Sequence, residues 1–250
     1  MLAGGNLDPI GTSTQTGVLG STITVNKERL ETGEYADGFV DSVENNYRIH
    51  TVGNPSIGPS KFDRWSRWYQ EDGNTQIFRL FKDEENVRNS RGLAARIEAF
   101  SPDDRWLPEL GVWREFDARF TVLKSAGCSN SPDPTKAHYC SLFQAKGNDV
   151  DDWSVMLRVH GDGSLWFYPR EGSAANKVKI YDNVIGQPFD MRVRDNGLDY
   201  EMWIDGVSVG TGQWQRTPEI GRIGFRWGIY VGATEVLDDI MVLVTGVSMK

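Results

Sequence analysis

The chain has 250 residues and a formal charge of -8, a balance that argues against a general affinity for nucleic acid, where binding rests on neutralising phosphates. The 27 Lys and Arg residues can still gather into a local basic groove if the acids populate other faces. No apolar run approaches the roughly 18 residues that span a bilayer, so no membrane partner is expected, and the length suits a large β domain that buries its core without staples.

Residues 1–33, rich in Gly, Thr and Ser, read as a loosely held arm in which Ser21–Asn26 forms a short strand. The opening Met-Leu-Ala-Gly-Gly is too short and too uncharged for a secretory signal, so an export peptide is expected to lie outside this chain. Residues 34–250 read as one domain. Tyr35–Asn54 opens it as a strand, and 54–60 is a loop. Lys61–Gln70, with aromatics at Phe62, Trp65, Trp68 and Tyr69, reads as a turn-rich or helical piece packed on the core.

From there the pattern is almost entirely β. Strands are expected at Thr75–Lys82, Gly92–Phe100, Val112–Lys124, Tyr139–Lys146, Trp153–His160, Ser164–Tyr168 and Lys177–Tyr181. Five more follow at Phe189–Arg194, Tyr200–Ile204, Val207–Gly210, Ile220–Tyr230 and Val236–Val247. Gly161-Asp162-Gly163, Asn196-Gly197 and Asp205-Gly206 are hairpin signals between them. About a dozen short strands with hardly any helical pattern predict a sandwich or barrel of antiparallel sheets.

Three strands carry polar pairs on one face. In Leu93–Phe100, Arg96 and Glu98 share a face, with Ile97 opposite. In Ser141–Gly147, Gln144 and Lys146 share a face, and Phe143 and Ala145 point away. In Gly224–Gly232, Phe225, Trp227 and Ile229 face one side and Arg226, Gly228 and Tyr230 the other. A cation and a phenol flanking a residue with no side chain leave room for an anionic, ring-shaped ligand such as an acidic sugar. Taken singly, each pair also reads as an ordinary solvated face, and Arg-x-Glu as an exposed ion pair worth little.

Together they supply the parts for β-elimination on a uronate polymer. That reaction removes the C5 proton beside a carboxylate and expels the O4 glycosidic oxygen. The carboxylate must be neutralised first, which an Arg with a Gln amide does by charge and hydrogen bonding. A base then takes the proton and an acid delivers one to O4. Lys146 suits the base if burial or a neighbouring cation such as Arg96 or Arg226 lowers its pKa. Tyr230 suits the acid, or both roles if proton and leaving oxygen lie on one side.

The ordered set Arg-x-Glu, Gln-x-(basic) and Phe-(basic)-x-Gly-x-Tyr resembles the β-jelly-roll polysaccharide lyases. In the alginate lyases of that group the motifs are Arg-Ser/Thr-Glu-Leu-Arg, Gln-Ile/Val-His and Tyr-Phe-Lys-Ala-Gly-x-Tyr. Arg96 and Glu98 match the first, with Phe100 in place of its final Arg. Gln144 matches the second, with Lys146 in place of His. Phe225, Gly228 and Tyr230 match the third, with Arg226 for Lys and Gly224 for the first Tyr. Gln-x-Lys with a downstream Tyr is closer to the ulvan lyases of that architecture, and glucuronan lyases share it too.

The resemblance covers roughly residues 90–247. It implies an all-β, concanavalin-like jelly-roll sandwich of two curved antiparallel sheets with the polymer in the concave groove of one. It implies an enzyme whose partner is an anionic polysaccharide, ulvan before glucuronan or alginate, and which needs no cofactor for chemistry. Arg96 and Gln144 would neutralise the carboxylate, Lys146 would be base and Tyr230 acid. Glu98, Arg226, His160, Arg158 and Arg194 would line the substrate, with Arg192 and Lys179 as further cations for sulfate. A carbohydrate-binding sandwich without catalysis is the competing class, and a monomer is expected.

His50, His138 and His160 lack metal-ligand partners at i+2 or i+4 and read first as structural or surface residues. His160 shares phase with Arg158 and is an alternative base. Among the acids, Asp149, Asp151 and Asp152 sit in a loop, and Asp239 opens the last strand. Similar sandwiches hold a structural calcium through such a last-strand acid, so Asp239 is the calcium candidate; solvated loop acids are the plainer reading. Cys128 and Cys140 bracket a polar loop, the pattern of a surface disulfide in a secreted protein, with a pair of free thiols as the alternative.

Overall fold

The structure, a computed structural model, describes residues 69–72, 74–82, 95–100, 111–128, 140–146, 153–170, 176–214, 224–231 and 236–250, and also 13–16, 22–25 and 48–50; in these last three, and at 70–72, it describes the backbone alone. β1 (Ser13–Thr16) and β2 (Thr22–Val25) pair with each other. The remaining strands are β3 (Arg48–His50), β4 (Tyr69–Asp72), β5 (Thr75–Leu80), β6 (Arg96–Phe100), β7 (Arg114–Lys124), β8 (Cys140–Lys146), β9 (Trp153–Val159) and β10 (Leu165–Pro169). They continue with β11 (Val178–Tyr181), β12 (Pro188–Asp195), β13 (Asp199–Ile204), β14 (Val207–Gln213), β15 (Gly224–Val231) and β16 (Ile240–Met249).

These form two antiparallel seven-stranded sheets, ordered β11-β10-β9-β8-β15-β6-β3 and β14-β13-β12-β7-β16-β5-β4. The expected jelly-roll sandwich is the fold. Period-two alternation builds it: on β12, Phe189, Met191 and Val193 are buried while Asp190 and Arg192 are exposed, so each strand gives one face to the core and one to the outside. The expected hairpin signals lie where turns are made. Asp205 and Gly206, both at positive φ (50° and 76°), close β13 onto β14, the backbone twist that suits a two-residue hairpin loop.

The core between the sheets centres on Phe116 of β7. Its ring lies 5.1 Å from Trp227, 5.0 Å from Phe143 and 5.9 Å from Phe225, in the tilted and edge-on arrangements aromatic pairs favour. A buried polar link also crosses the sandwich: the Trp227 indole N–H donates to Gln76 Oε1 at 2.6 Å, and the Gln76 amide donates to the Tyr69 hydroxyl at 2.8 Å. Strand β15 is thus held from below by packing and by a directional bond.

Two expectations are corrected. Tyr69 and Gln70 open a strand rather than end a helical piece, because Tyr69 is 3% exposed and pairs in register with Phe78. Cys128 and Cys140 do form a disulfide, but it is not a surface one, since both residues are wholly buried in the main core. Residues 61–68, His138, Asp149, Asp151 and Asp152 lie outside the described residues, as does the arm apart from β1 and β2. Among the described residues no helix is long and apolar enough to cross a membrane.

The disulfide closes a sequence separation of 12. Its removal by Cys128→Ala and Cys140→Ala is expected to cost about 3 kcal/mol, or roughly 6–12 °C in Tm. Thermal unfolding followed by circular dichroism checks this, and an unchanged midpoint would contradict it.

Candidate active site

Strand β15 lies between β8 and β6, and its alternation places Phe225, Trp227 and Ile229 in the core and Arg226 and Tyr230 on the outer face, both half-buried. The register sets Tyr230 opposite Arg96 and Ser141, and Arg226 opposite Phe100 and Gln144. Lys146 is opposite Gly224. Arg96, Glu98, Gln144, Lys146, Arg226 and Tyr230 therefore share one outer face, although they come from three segments far apart in the chain.

Gly228 works differently from the sequence expectation. At φ +124° a Cβ would lie 2.5 Å from the Ile97 carbonyl oxygen and 2.8 Å from Phe78, so the missing side chain spares the core rather than opening space for a ligand. The outer face above Gly228 is bare nonetheless, and it is filled from both sides. Glu98 is level with Gly228 on β6, and the Gln144 amide reaches over β15 from β8 to donate to Glu98 Oε1 at 2.5 Å.

Glu98 is 1% exposed and Gln144 2%. A carboxylate so buried is costly unless hydrogen-bonded and paired. Its Oε1 takes the amide, and its Oε2, which accepts no hydrogen bond among the described residues, lies 3.8 Å from the Arg96 guanidinium. The same guanidinium lies over the Tyr230 ring, 4.8 Å from its centroid, a cation–π contact. One buried charge thus orients an amide, a guanidinium and, through the latter, a phenol.

The face continues across β9, β10 and β11. Pairing carries one row from Arg96 through Tyr230, Ser141, Arg158 and Trp166 to Lys179. A second row runs Phe100, Arg226, Gln144, Met156 and Tyr168. Arg158 lies 4.0 Å from the Tyr168 ring centroid and its Nη2 3.3 Å from the Met156 sulfur. Trp153, Met156 and Tyr168 form a small apolar cluster with Trp166 against it. Arg170 lies over Trp153 and Trp214. Trp153, Trp166 and Tyr168 were not singled out from sequence, although the alternation in Leu165–Pro169 sets Trp166 and Tyr168 opposite Leu165 and Phe167.

Several expected residues fall elsewhere. Arg194, and Arg192 with it, belongs to β12 in the other sheet and points outward there. Arg194 lies over Trp113 and 3.6 Å from Glu201, and Arg192 donates to Glu115 at 2.8 Å. Strand phase could not decide whether either faces the groove, since it does not say which sheet a strand joins. Lys146 is on the correct face but five residues from Ser141 along β8, roughly 16 Å of strand from the level of Tyr230. His160 follows the last residue of β9, two residues past Arg158, and stacks on Trp166, with centroids 5.2 Å apart. Beside it, Asp162 is held below the usual carboxylate range: burial opposes ionisation, but bonds from Ser164 outweigh it, aided by the charges of His160 and Lys179. His50 is registered opposite Glu98 on the edge strand β3.

Asp239, the calcium candidate, is held by protein donors. Its Oδ1 accepts from the Lys82 N–H at 3.1 Å and its Oδ2 lies 3.5 Å from Lys124 Nζ, and an ammonium beside a carboxylate competes with a divalent cation. Among the described residues there is no group of three acids, histidines or cysteines that could hold a metal.

The fold is shared with alginate lyases. An alginate lyase from Corynebacterium sp. superposes with a TM-score of 0.64 at 15% identity, covering 82% of this chain and 94% of its own. The alginate lyase A1-II′, described as a member of polysaccharide lyase family 7, gives 0.66 at 12% identity, covering 86% and 98%. The marine alginate lyase AlyA1 of Zobellia galactanivorans, of the same family, gives 0.62 at 14% identity, covering 82% and 98%. At such identities the likeness is one of fold. No family model and no curated protein matches the chain by sequence.

Gly228→Ala is expected to destabilise the protein by about 2–4 kcal/mol, through a left-handed backbone and overpacking against Phe78. Chemical denaturation measures this, and a loss below about 0.5 kcal/mol would show that the strand relaxes without strain.

Proposed function

We propose that the chain is a polysaccharide lyase that cleaves a uronate-containing polymer by β-elimination. The observation that carries this reading is the convergence on one outer face of Arg96, held over Tyr230, with Gln144, held by buried Glu98. Arg96 and the second N–H of the Gln144 amide would receive the sugar carboxylate, lowering the cost of the charge that develops when C5 loses its proton. The C5–H electrons become the C4–C5 double bond, the C4–O4 bond breaks, and O4 leaves with a proton from the Tyr230 hydroxyl.

Two assignments of the base remain to be separated. In the first, the Lys146 amine on the same outer face takes the C5 proton and the Tyr230 hydroxyl protonates O4. In the second, Tyr230 begins as the phenolate, takes the C5 proton and passes that same proton to O4, which the register favours by setting Tyr230 beside Arg96 and Lys146 at the far side of Gln144. Lys146 then holds a neighbouring carboxylate of the polymer.

Within the uronate class we favour ulvan, from Gln-x-Lys with a downstream Tyr; the fold shared with alginate lyases keeps alginate as the alternative, and glucuronan fits the same chemistry. The buried disulfide belongs to an oxidising compartment, which supports action outside the cell. No step in this scheme calls for a metal.

Incubation with ulvan, glucuronan and alginate is expected to raise the ultraviolet absorbance of the new double bond conjugated to the carboxylate on at least one of them. No rise on any, in the presence of measurable binding, would leave a glycan-binding sandwich instead. Tyr230→Phe is expected to lower kcat by roughly 10²–10⁴-fold. Lys146→Ala separates the two bases: a comparable fall in kcat assigns the proton to the amine, whereas a raised KM with kcat nearly unchanged assigns it to the phenol.

A further inference from the structure

The row that begins at Arg96 and Tyr230 does not stop at the reaction centre. It crosses β8 at Ser141, β9 at Arg158, β10 at Trp166 and β11 at Lys179. At a strand spacing of about 4.8 Å, Trp166 stands roughly 14 Å and Lys179 roughly 19 Å from Tyr230. A hexuronate residue is about as long as one such step, so a polymer lying across the strands meets one row position per sugar.

The far end of this row is built rather than incidental. The Trp166 indole N–H donates to Ser164 Oγ at 2.8 Å, and that hydroxyl donates to Asp162 Oδ1 at 2.6 Å. His160 stacks nearly parallel to the ring, at 18°. The ring is therefore fixed in place while remaining partly exposed. Lys177 Nζ lies 5.4 Å and Lys179 Nζ 5.5 Å from its centroid, and both lysines are exposed. Lys179 also pairs with exposed Asp182 at 3.0 Å, whereas Lys177 has no carboxylate partner among the described residues. By contrast, three cations on the outer face of the other sheet, Arg119, Arg192 and Arg194, lie against acids, as in the two-pronged Arg119–Asp190 pair at 2.8 and 2.9 Å.

We infer that Trp166, Lys177 and Lys179 form a distal subsite that holds an anionic sugar of the same polymer about three strands from the cleavage point. A rigid, amphipathic ring supplies a surface for the sugar, and two ammonium groups supply the charge for its carboxylate or sulfate. Its occupant rests on the lyase reading above, but its existence as a polyanion site can be tested without turnover.

The test is affinity electrophoresis in native gels containing ulvan, glucuronan or neutral dextran, alongside product formation on the two charged polymers. Wild-type protein is expected to be retarded by a charged polymer and not by dextran, and Trp166→Ala and Lys177→Gln/Lys179→Gln to weaken that retardation at least fivefold. The lysine variant alters exposed groups only, so it keeps the test on folded protein if Trp166→Ala disturbs the sheet. Weakening with ulvan alone assigns the anion as sulfate, and weakening with both polymers assigns it as carboxylate. Variants that bind as wild type does, or a wild type that no charged polymer retards, overturn the subsite. Retardation lost in the variants, while the wild type yields no unsaturated product on ulvan, glucuronan or alginate, upholds the subsite and removes the lyase reading.

Discussion

A single buried carboxylate organises the candidate site. Glu98, almost wholly out of water, has to be answered by donors. The Gln144 amide comes from a strand that does not pair with β6 at all, and it reaches Glu98 only because β15, which lies between them, has no side chain rising at Gly228. The left-handed backbone of that glycine aims its missing Cβ at Phe78 in the core. One conformational choice therefore serves the packing below the sheet and the polar network above it. A half-satisfied network of this kind would cost more than an apolar one, which ties the orientation of Arg96 to the same bond.

The underside of β15 is equally constrained. Trp227, the residue between Arg226 and Gly228, is wholly buried, packs on Phe116 and bonds to Gln76 in the facing sheet. A strand anchored so firmly on one face can present Arg226 and Tyr230 on the other with little freedom, as a site requires when reacting groups must be held to within a fraction of an ångström. The two sheets divide the labour. On the one, Arg119, Arg192 and Arg194 lie against carboxylates; on the other, Arg158, Arg170 and Lys177 lie against rings and a thioether, and Arg96 lies between Glu98 and the Tyr230 ring. A chain with a charge of -8 can in this way present a cationic surface to an anionic polymer.

Much of this was legible in the order of residues, because alternation is a local signal. Phe225, Trp227 and Ile229 read inward and Arg226 and Tyr230 outward before any strand was paired, and the turns at Gly161–Gly163, Asn196–Gly197 and Asp205–Gly206 marked the strand ends. What pairing decides was not legible. Arg194 and Arg158 have the same outward phase, yet one joins the sheet of Gln144 and the other its opposite, since phase carries no sheet label. The contact between Glu98 and Gln144 spans two strand steps and depends on a positive φ that a Gly in a strand permits but does not announce. Cys128 and Cys140 flank a polar loop, which pointed to the surface, whereas the sulfurs themselves turn into the core. Tyr69 ends an aromatic-rich stretch with helical spacing, but its hydroxyl finds Gln76 and its backbone finds Phe78, and tertiary pairing overrides the local pattern.

The convergence of these groups on one sugar is tested most directly by a crystal structure of the Tyr230→Phe variant with a bound uronate oligosaccharide. The oligosaccharide should run across the strands, with one carboxylate between Arg96 and Gln144 and its glycosidic oxygen facing residue 230. An oligosaccharide lying along the strands, or on the outer face of the sheet that holds Arg194, would contradict that convergence.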